Sequence, residues 1–112
     1  MKREFKGVYY FNSGDRYDGD WVNDKRQGKG NLVFFDGGEF EGVFKDDEIY
    51  DGKLIDKNQN IFKNDLKKGG YFLRGKLTGM GTAAFVNGDA YEGEFRDGVF
   101  SGKGKLTYRN LD

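Results

Sequence analysis

Cysteine, histidine and proline are all absent from these 112 residues, and each absence removes a class of explanation. Without cysteine there is neither a disulfide framework nor a thiolate site. Without histidine, Ser13 and Ser101 have no imidazole to activate them, so a hydrolase triad is ruled out and the chain is read as non-enzymatic. Without proline, every residue keeps its backbone N–H, which suits a chain built mostly of strands that must donate ladder hydrogen bonds. An excess of one charge is also missing: nineteen Lys plus Arg balance nineteen Asp plus Glu. Zero net charge argues against nonspecific nucleic-acid binding, which needs a basic surface. No apolar run is long enough to span a membrane, and none reads as a signal peptide. The expected setting is intracellular, cytoplasmic or peripheral at a membrane or cytoskeletal structure.

Aliphatic residues are sparse while 17% of the chain is aromatic, so its buried surface is expected to come from rings. Those rings keep fixed company with glycine. In 91–95, Tyr91, Gly93 and Phe95 fall on one face under a two-residue period. In 102–108, Gly102, Gly104, Leu106 and Tyr108 do the same. The glycines read as space cleared for a ring arriving from a neighbouring unit. The opposite face carries Glu92, Glu94 and Arg96, then Lys103, Lys105 and Thr107, and belongs in water.

The pattern recurs. Tyr17, Gly19 and Trp21, followed by Gly28, Gly30 and Leu32, repeat it 74 residues earlier; Phe40, Gly42 and Phe44 open another copy. A further copy without its leading aromatic runs through Gly70, Phe72, Gly79, Gly81 and Phe85. These motifs resemble the MORN repeat (membrane occupation and recognition nexus), whose pattern is Tyr-x-Gly-x-Trp/Phe, a polar turn, Gly-x-Gly-x-Leu, then Asp/Asn-Gly. The resemblance covers nearly the whole chain and implies an all-β fold: a single-layer, elongated array of antiparallel β-hairpins forming one open twisted sheet. The repeats divide residues 1–112, as one domain, into a half unit at 5–16 and units at 17–39, 40–67, 68–90 and 91–112. The 40–67 unit is divergent and carries an insertion.

Several features invite a functional reading. Insertions in repeat arrays are places for a binding element, and Ile49, Tyr50, Ile61, Phe62 and Leu66 are candidates for an irregular apolar surface there. Ala83 and Ala84 stand where larger residues usually sit, either leaving a groove or, more simply, accommodating a large ring from the neighbouring unit. Gly28-Lys-Gly30 and Gly102-Lys-Gly104 lack the spacing of a phosphate loop and fit the repeat's own strand glycines. Asp46, Asp47 and Glu48 lack the spaced loop and central glycine of a calcium site and read as a solvated turn. No cofactor or metal is expected.

The leading expectation is a scaffold or adaptor that binds a protein, as a helix or extended peptide, through one face of the hairpin sheet. Tyr10, Phe35, Tyr50, Tyr71 and Phe100 are the candidate contacts. The family's name suggests an alternative, peripheral binding to acidic phospholipids or phosphoinositides. Its candidates are Lys25, Arg26 and Lys29, with Lys67, Lys68, Arg74 and Lys76 as a second cluster. The resemblance also implies a targeting module of a larger enzyme, since such repeats occur beside kinase and methyltransferase domains. Self-association through the ends of the open array completes the set.

Overall fold

The computed structural model describes residues 4–109. It is one open antiparallel sheet of ten strands, measuring 57 × 27 × 18 Å, with a single 3-10 turn among the described residues. The strands are β1 (Glu4–Tyr10), β2 (Arg16–Val22), β3 (Lys25–Val33), β4 (Glu39–Lys45), β5 (Glu48–Ile55), β6 (Ile61–Asn64), β7 (Tyr71–Leu73), β8 (Lys76–Ala84), β9 (Ala90–Arg96) and β10 (Val99–Thr107). They follow chain order across the sheet, except that β6 and β7 lie end to end beside β8: β6 takes its second half and β7 its first.

Two kinds of connection alternate. Within hairpins, two-residue turns at Asn23-Asp24, Asp46-Asp47, Arg74-Gly75 and Asp97-Gly98 have positive φ at both positions, the turn whose twist matches that of the flanking strands. Between hairpins, five-residue loops at 11–15, 34–38, 56–60 and 85–89 close with the same two backbone bonds, as in Phe34 N–H to Gly38 (2.8 Å) and Gly37 N–H to Phe34 (3.0 Å). Side chains tie one loop to the next. Asp15 accepts from the Phe35 amide, Asn60 from Val86 and Asp89 from Arg109. The fourth residue of each loop is left-handed, and it is Gln59 where the other loops have Gly14, Gly37 and Gly88.

The glycines form a row. Register places Gly7, Gly19, Gly30, Gly42 and Gly52 side by side across five strands, then Asn64, then Gly81, Gly93 and Gly104. The adjoining row on the same face alternates aromatic and aliphatic: Tyr17, Leu32, Phe40, Leu54, Phe62, Ala83, Tyr91, Leu106. Each leading ring leans diagonally over the glycine row. A methyl group at Gly30 would overlap the Tyr17 ring and hydroxyl, one at Gly104 the Tyr91 ring, and one at Gly52 would sit 3.0 Å from Phe40. At Gly30, Gly52 and Gly104 the ring thus comes from the same hairpin, not from a neighbouring unit as expected, and Gly81 is covered by Leu77 instead. Tyr17 faces Leu32, so the nearest bare position is Gly30, two residues away on the paired strand.

Contacts between rings do cross units. Tyr17 meets Trp21 at 5.1 Å within its hairpin and Phe44 at 4.9 Å in the next, both edge to face. Phe40 repeats this with Phe44 and Phe72, and Phe62 reaches Phe95. Trp21, Phe44, Phe72 and Phe95 are accordingly all buried in one cluster. A single layer can bury them because the hairpin tips curl over this face. Gly75 and Gly98 line the same hollow as Leu54 and Phe62, and the Gly98 amide donates to the Leu77 carbonyl at 2.9 Å.

The register also locates the irregularity. Phe62 faces Leu54 as Phe40 faces Leu32, so it holds the leading ring position of the third hairpin, and Phe72 faces Leu77 as Phe44 faces Ile49. The 70–90 motif therefore has its leading aromatic after all, displaced by an excursion between Asn64 and Gly70. Inside that excursion Asp65 caps the 3-10 turn Leu66–Lys68, and Gly69 ends it in a left-handed conformation. Asn64 closes its base: the side chain accepts from the Gly52 amide at 2.9 Å and donates to the Gly70 carbonyl at 3.0 Å.

Two substitutions test this account by urea denaturation. Gly30→Ala should lower stability by about 1–3 kcal/mol, because the buried Tyr17 ring has nowhere to retreat. Gln59→Gly should raise it by about 0.5–1 kcal/mol, since it removes the cost of a left-handed side-chain residue.

Candidate functional site

The sheet's two faces differ in what they leave available. On the polar face, charges oppose across strands as the alternation expects, with Glu41 beside Lys53 and Glu92 beside Lys105. The small residues foreseen at 83–84 make a shallow groove between Thr82, Ala84, Ala90, Lys105 and Thr107. Ala83 itself is buried on the aromatic face.

The aromatic face changes character along its length. Around Tyr17 and Phe44, between the first two hairpins, it is filled. The Arg26 guanidinium lies over the rings of Phe11, Tyr17 and Phe44 at 5.3, 5.9 and 5.4 Å. It is locked there by Asp47 of the next hairpin's turn, whose carboxylate accepts from Arg26 Nε at 2.8 Å and from its backbone amide at 3.1 Å, and whose carbonyl accepts from Nη2. From Leu54 onward the face is incompletely filled. A hollow of about 340 Å³ lies between the loops at Phe34, Gly38 and Leu54. It shares Leu54 with a smaller one at Phe62 and Leu77, and a third of about 370 Å³ lies at Phe85, Phe100 and Leu106. Phe62 and Phe85 touch, at 6.4 Å between centroids, and Phe85 touches Phe100 at 5.9 Å. The three hollows thus form one apolar strip. Its loop-side lip carries Asp36, Asp56 and Asp89, with Lys57 the one base lining it on that side.

The candidate protein contacts do not converge. Phe100 lines the strip, stacked on Tyr91 at 3.9 Å. Tyr10 is on the polar side of β1 beside Arg16, and Phe35 is 81% exposed on a loop. Tyr50 sits in the β4–β5 bulge under Lys45, and Tyr71 is on the short β7. Nor do the residues flanking the insertion share one surface: Ile49 is core, Ile61 and Phe62 point to opposite faces, and Leu66 is exposed on the excursion. Of the candidate headgroup residues, Lys25 and Lys29 are exposed, but the pleat turns Arg26 to the other face, where Asp47 holds it. Lys67, Lys68, Arg74 and Lys76 are all exposed along the excursion and the β7–β8 turn.

The strip at Leu54, Phe62 and Phe85 was not foreseen. Its signal was the aromatic and aliphatic alternation across strands, which needs the register to be seen. Among the described residues no group of three or more acidic, histidine or cysteine side chains comes together to hold a metal ion. Within the same residues no helix is long and apolar enough to cross a membrane.

Among the described residues Tyr17 is the strongly shifted titratable group, and its role is structural. Burial first, and the neighbouring Asp20 carboxylate second, push its hydroxyl from 10.0 up to about 12, against a smaller opposing effect of Arg26. The hydroxyl donates to the Asp20 carbonyl at 2.9 Å, and Tyr91 makes the same bond to Glu94 at 2.9 Å.

Comparison with known proteins agrees with this architecture. The family model described as MORN repeat matches residues 6–16, 17–39, 70–90 and 91–112. Alsin from Mus musculus, Rattus norvegicus and Homo sapiens is 33% identical over 97 residues, 85% of this chain. The match spans only 6% of the length of each of those relatives.

A pH titration tests the burial of Tyr17. A raised folded-state pKa favours the folded state fully below the unfolded value near 10 and loses that contribution as pH climbs through about 12. Stability should fall by roughly 2 kcal/mol across that window. Tyr17→Phe should flatten the decline in a denaturant midpoint series, whereas an unchanged slope would remove Tyr17 as its cause.

Proposed function

The chain belongs to the MORN-repeat family, and from that premise we propose that it is a non-enzymatic binding module that receives a protein segment along the apolar strip running from Leu54 to Leu106. The observation that carries this is the contrast within one face. Where Arg26 and the rings of Tyr17 and Phe44 close the first hairpins, Leu54, Phe62, Phe85, Phe100 and Leu106 remain partly uncovered in line. A contiguous apolar channel with one polar lip suits an amphipathic helix or an extended peptide with evenly spaced anchors. The carboxylates of Asp36, Asp56 and Asp89 on that lip favour a segment whose polar side carries lysine or arginine.

Binding to acidic phospholipids would draw instead on Lys67, Lys68, Arg74 and Lys76. The diversion of Arg26 into the aromatic face leaves its own cluster short of a base. The small share of each relative that this chain spans supports reading it as a module that positions other domains, without naming them.

Synthetic peptides decide between these readings. A labelled amphipathic peptide with leucine anchors and a lysine polar face should bind, and its glutamate counterpart should bind at least tenfold more weakly. Phe100→Glu with Leu106→Glu should abolish binding while circular dichroism shows the sheet intact; Tyr10→Ser with Phe35→Ser should leave it unchanged. If neither peptide binds but acidic vesicles do, in a manner that fades with salt and is lost on changing Lys67, Lys68, Arg74 and Lys76 to glutamine, the lipid reading replaces this one.

A further inference from the structure

Strand direction alternates at each of the nine positions from β1 to β10, with β6 and β7 sharing one, so the first and last strands run the same way. A second copy added head to tail would meet β10 with β1 in parallel, unlike every pairing inside the sheet. A two-fold axis normal to the sheet sets like edges antiparallel and keeps the aromatic faces on one side.

The two edges are not equivalent. β10 presents Lys103 and Lys105 along its length, charges that discourage pairing at an open edge. By contrast, β1 pairs with β2 residue for residue from Glu4 to Tyr10 with no shift. Its second half exposes apolar surface on both sides, with Val8 at 47%, Tyr9 at 52% and Tyr10 at 71%. Among the described residues β1 has a neighbour on one side only. Gly7 also begins the glycine row that crosses the whole sheet.

We propose that β1 is a self-association edge, pairing antiparallel with β1 of a second copy about a two-fold axis at Gly7. This register continues the glycine row into the second sheet, with Gly7 facing its own counterpart. Lys6 of one copy then stands opposite Val8 of the other, and Tyr9 gains a neighbour on its open side. The surface is separate from the apolar strip, which lies towards the other end of the array.

Sedimentation equilibrium of the 112-residue chain tests this. Its mass should rise from 12.8 kDa towards twice that value with concentration. Val8→Lys with Tyr10→Lys should weaken the dimer at least tenfold without changing the melting temperature of the dilute monomer. Because the natural chain has no cysteine, Lys6→Cys with Val8→Cys should oxidise to a covalent dimer, whereas Lys103→Cys with Lys105→Cys should not. A chain that stays monomeric into the millimolar range overturns the proposal. So does a dimer that survives the two lysines on β1, or one that cross-links through β10.

Discussion

Close approach of backbone to backbone along the glycine row is the constraint on which the rest of this structure depends. A side chain at Gly19 would begin 2.5 Å from the Gly30 Cα and 2.6 Å from the Tyr17 hydroxyl. With hydrogen in place of a methyl group, the tyrosine ring settles over both glycines and its hydroxyl donates to the Asp20 carbonyl of its own strand. Each ring so placed leaves room for a ring of the next hairpin to meet it edge on. The repeat is therefore a packing unit and not merely a recurring turn, and a sheet with no second layer still acquires a core.

The one break in the row shows what that constraint permits. Asn64 stands among eight glycines, and its side chain replaces the missing close contact with two directed bonds, to Gly52 and Gly70. Both partners are backbone groups that an excursion would otherwise leave unsatisfied in a site only 6% exposed. The chain can then depart after Asn64, make a 3-10 turn and return at Gly70 while Phe62 and Phe72 keep their places. The array tolerates extra residues where a polar side chain closes the gap behind them.

How much of this could be read from residues alone follows from the range of each interaction. Hairpins, their turns and the shared face of Tyr17, Gly19 and Trp21 are local, and alternation exposes them. The repeat spacing gives a hairpin array for the same reason, and the resemblance to the MORN repeat implies the open sheet. Which ring covers which glycine depends on diagonal offset between paired strands, and so the expected neighbouring unit gave way to the ring's own hairpin. Phe62 was hidden because its distance from Phe72 differs from the repeat by the length of the excursion. Arg26 was misplaced for another reason: two lysines close by in sequence suggest a patch, but pleating sends adjacent residues to opposite faces. For the candidate contacts the difficulty is that exposure of Tyr10, Phe35 and Tyr71 says nothing about whether they lie together.

A filled face and a receptive face need not be different faces. The same rows of side chains run the length of the aromatic face, yet Arg26 roofs the first part and no described residue roofs the last in the same way. The lock between Arg26 and Asp47 fixes the relative tilt of the first two hairpins through a turn that the repeat already requires. Rigidity gained there lets the later hairpins leave Phe62, Phe85 and Leu106 partly uncovered without losing their alignment, because stability in a linear array is passed from neighbour to neighbour. On the proposed reading, a strip held in this manner would offer a long, narrow partner anchor points at the spacing of the hairpins, and lengthening or shortening one hairpin would put those points out of step.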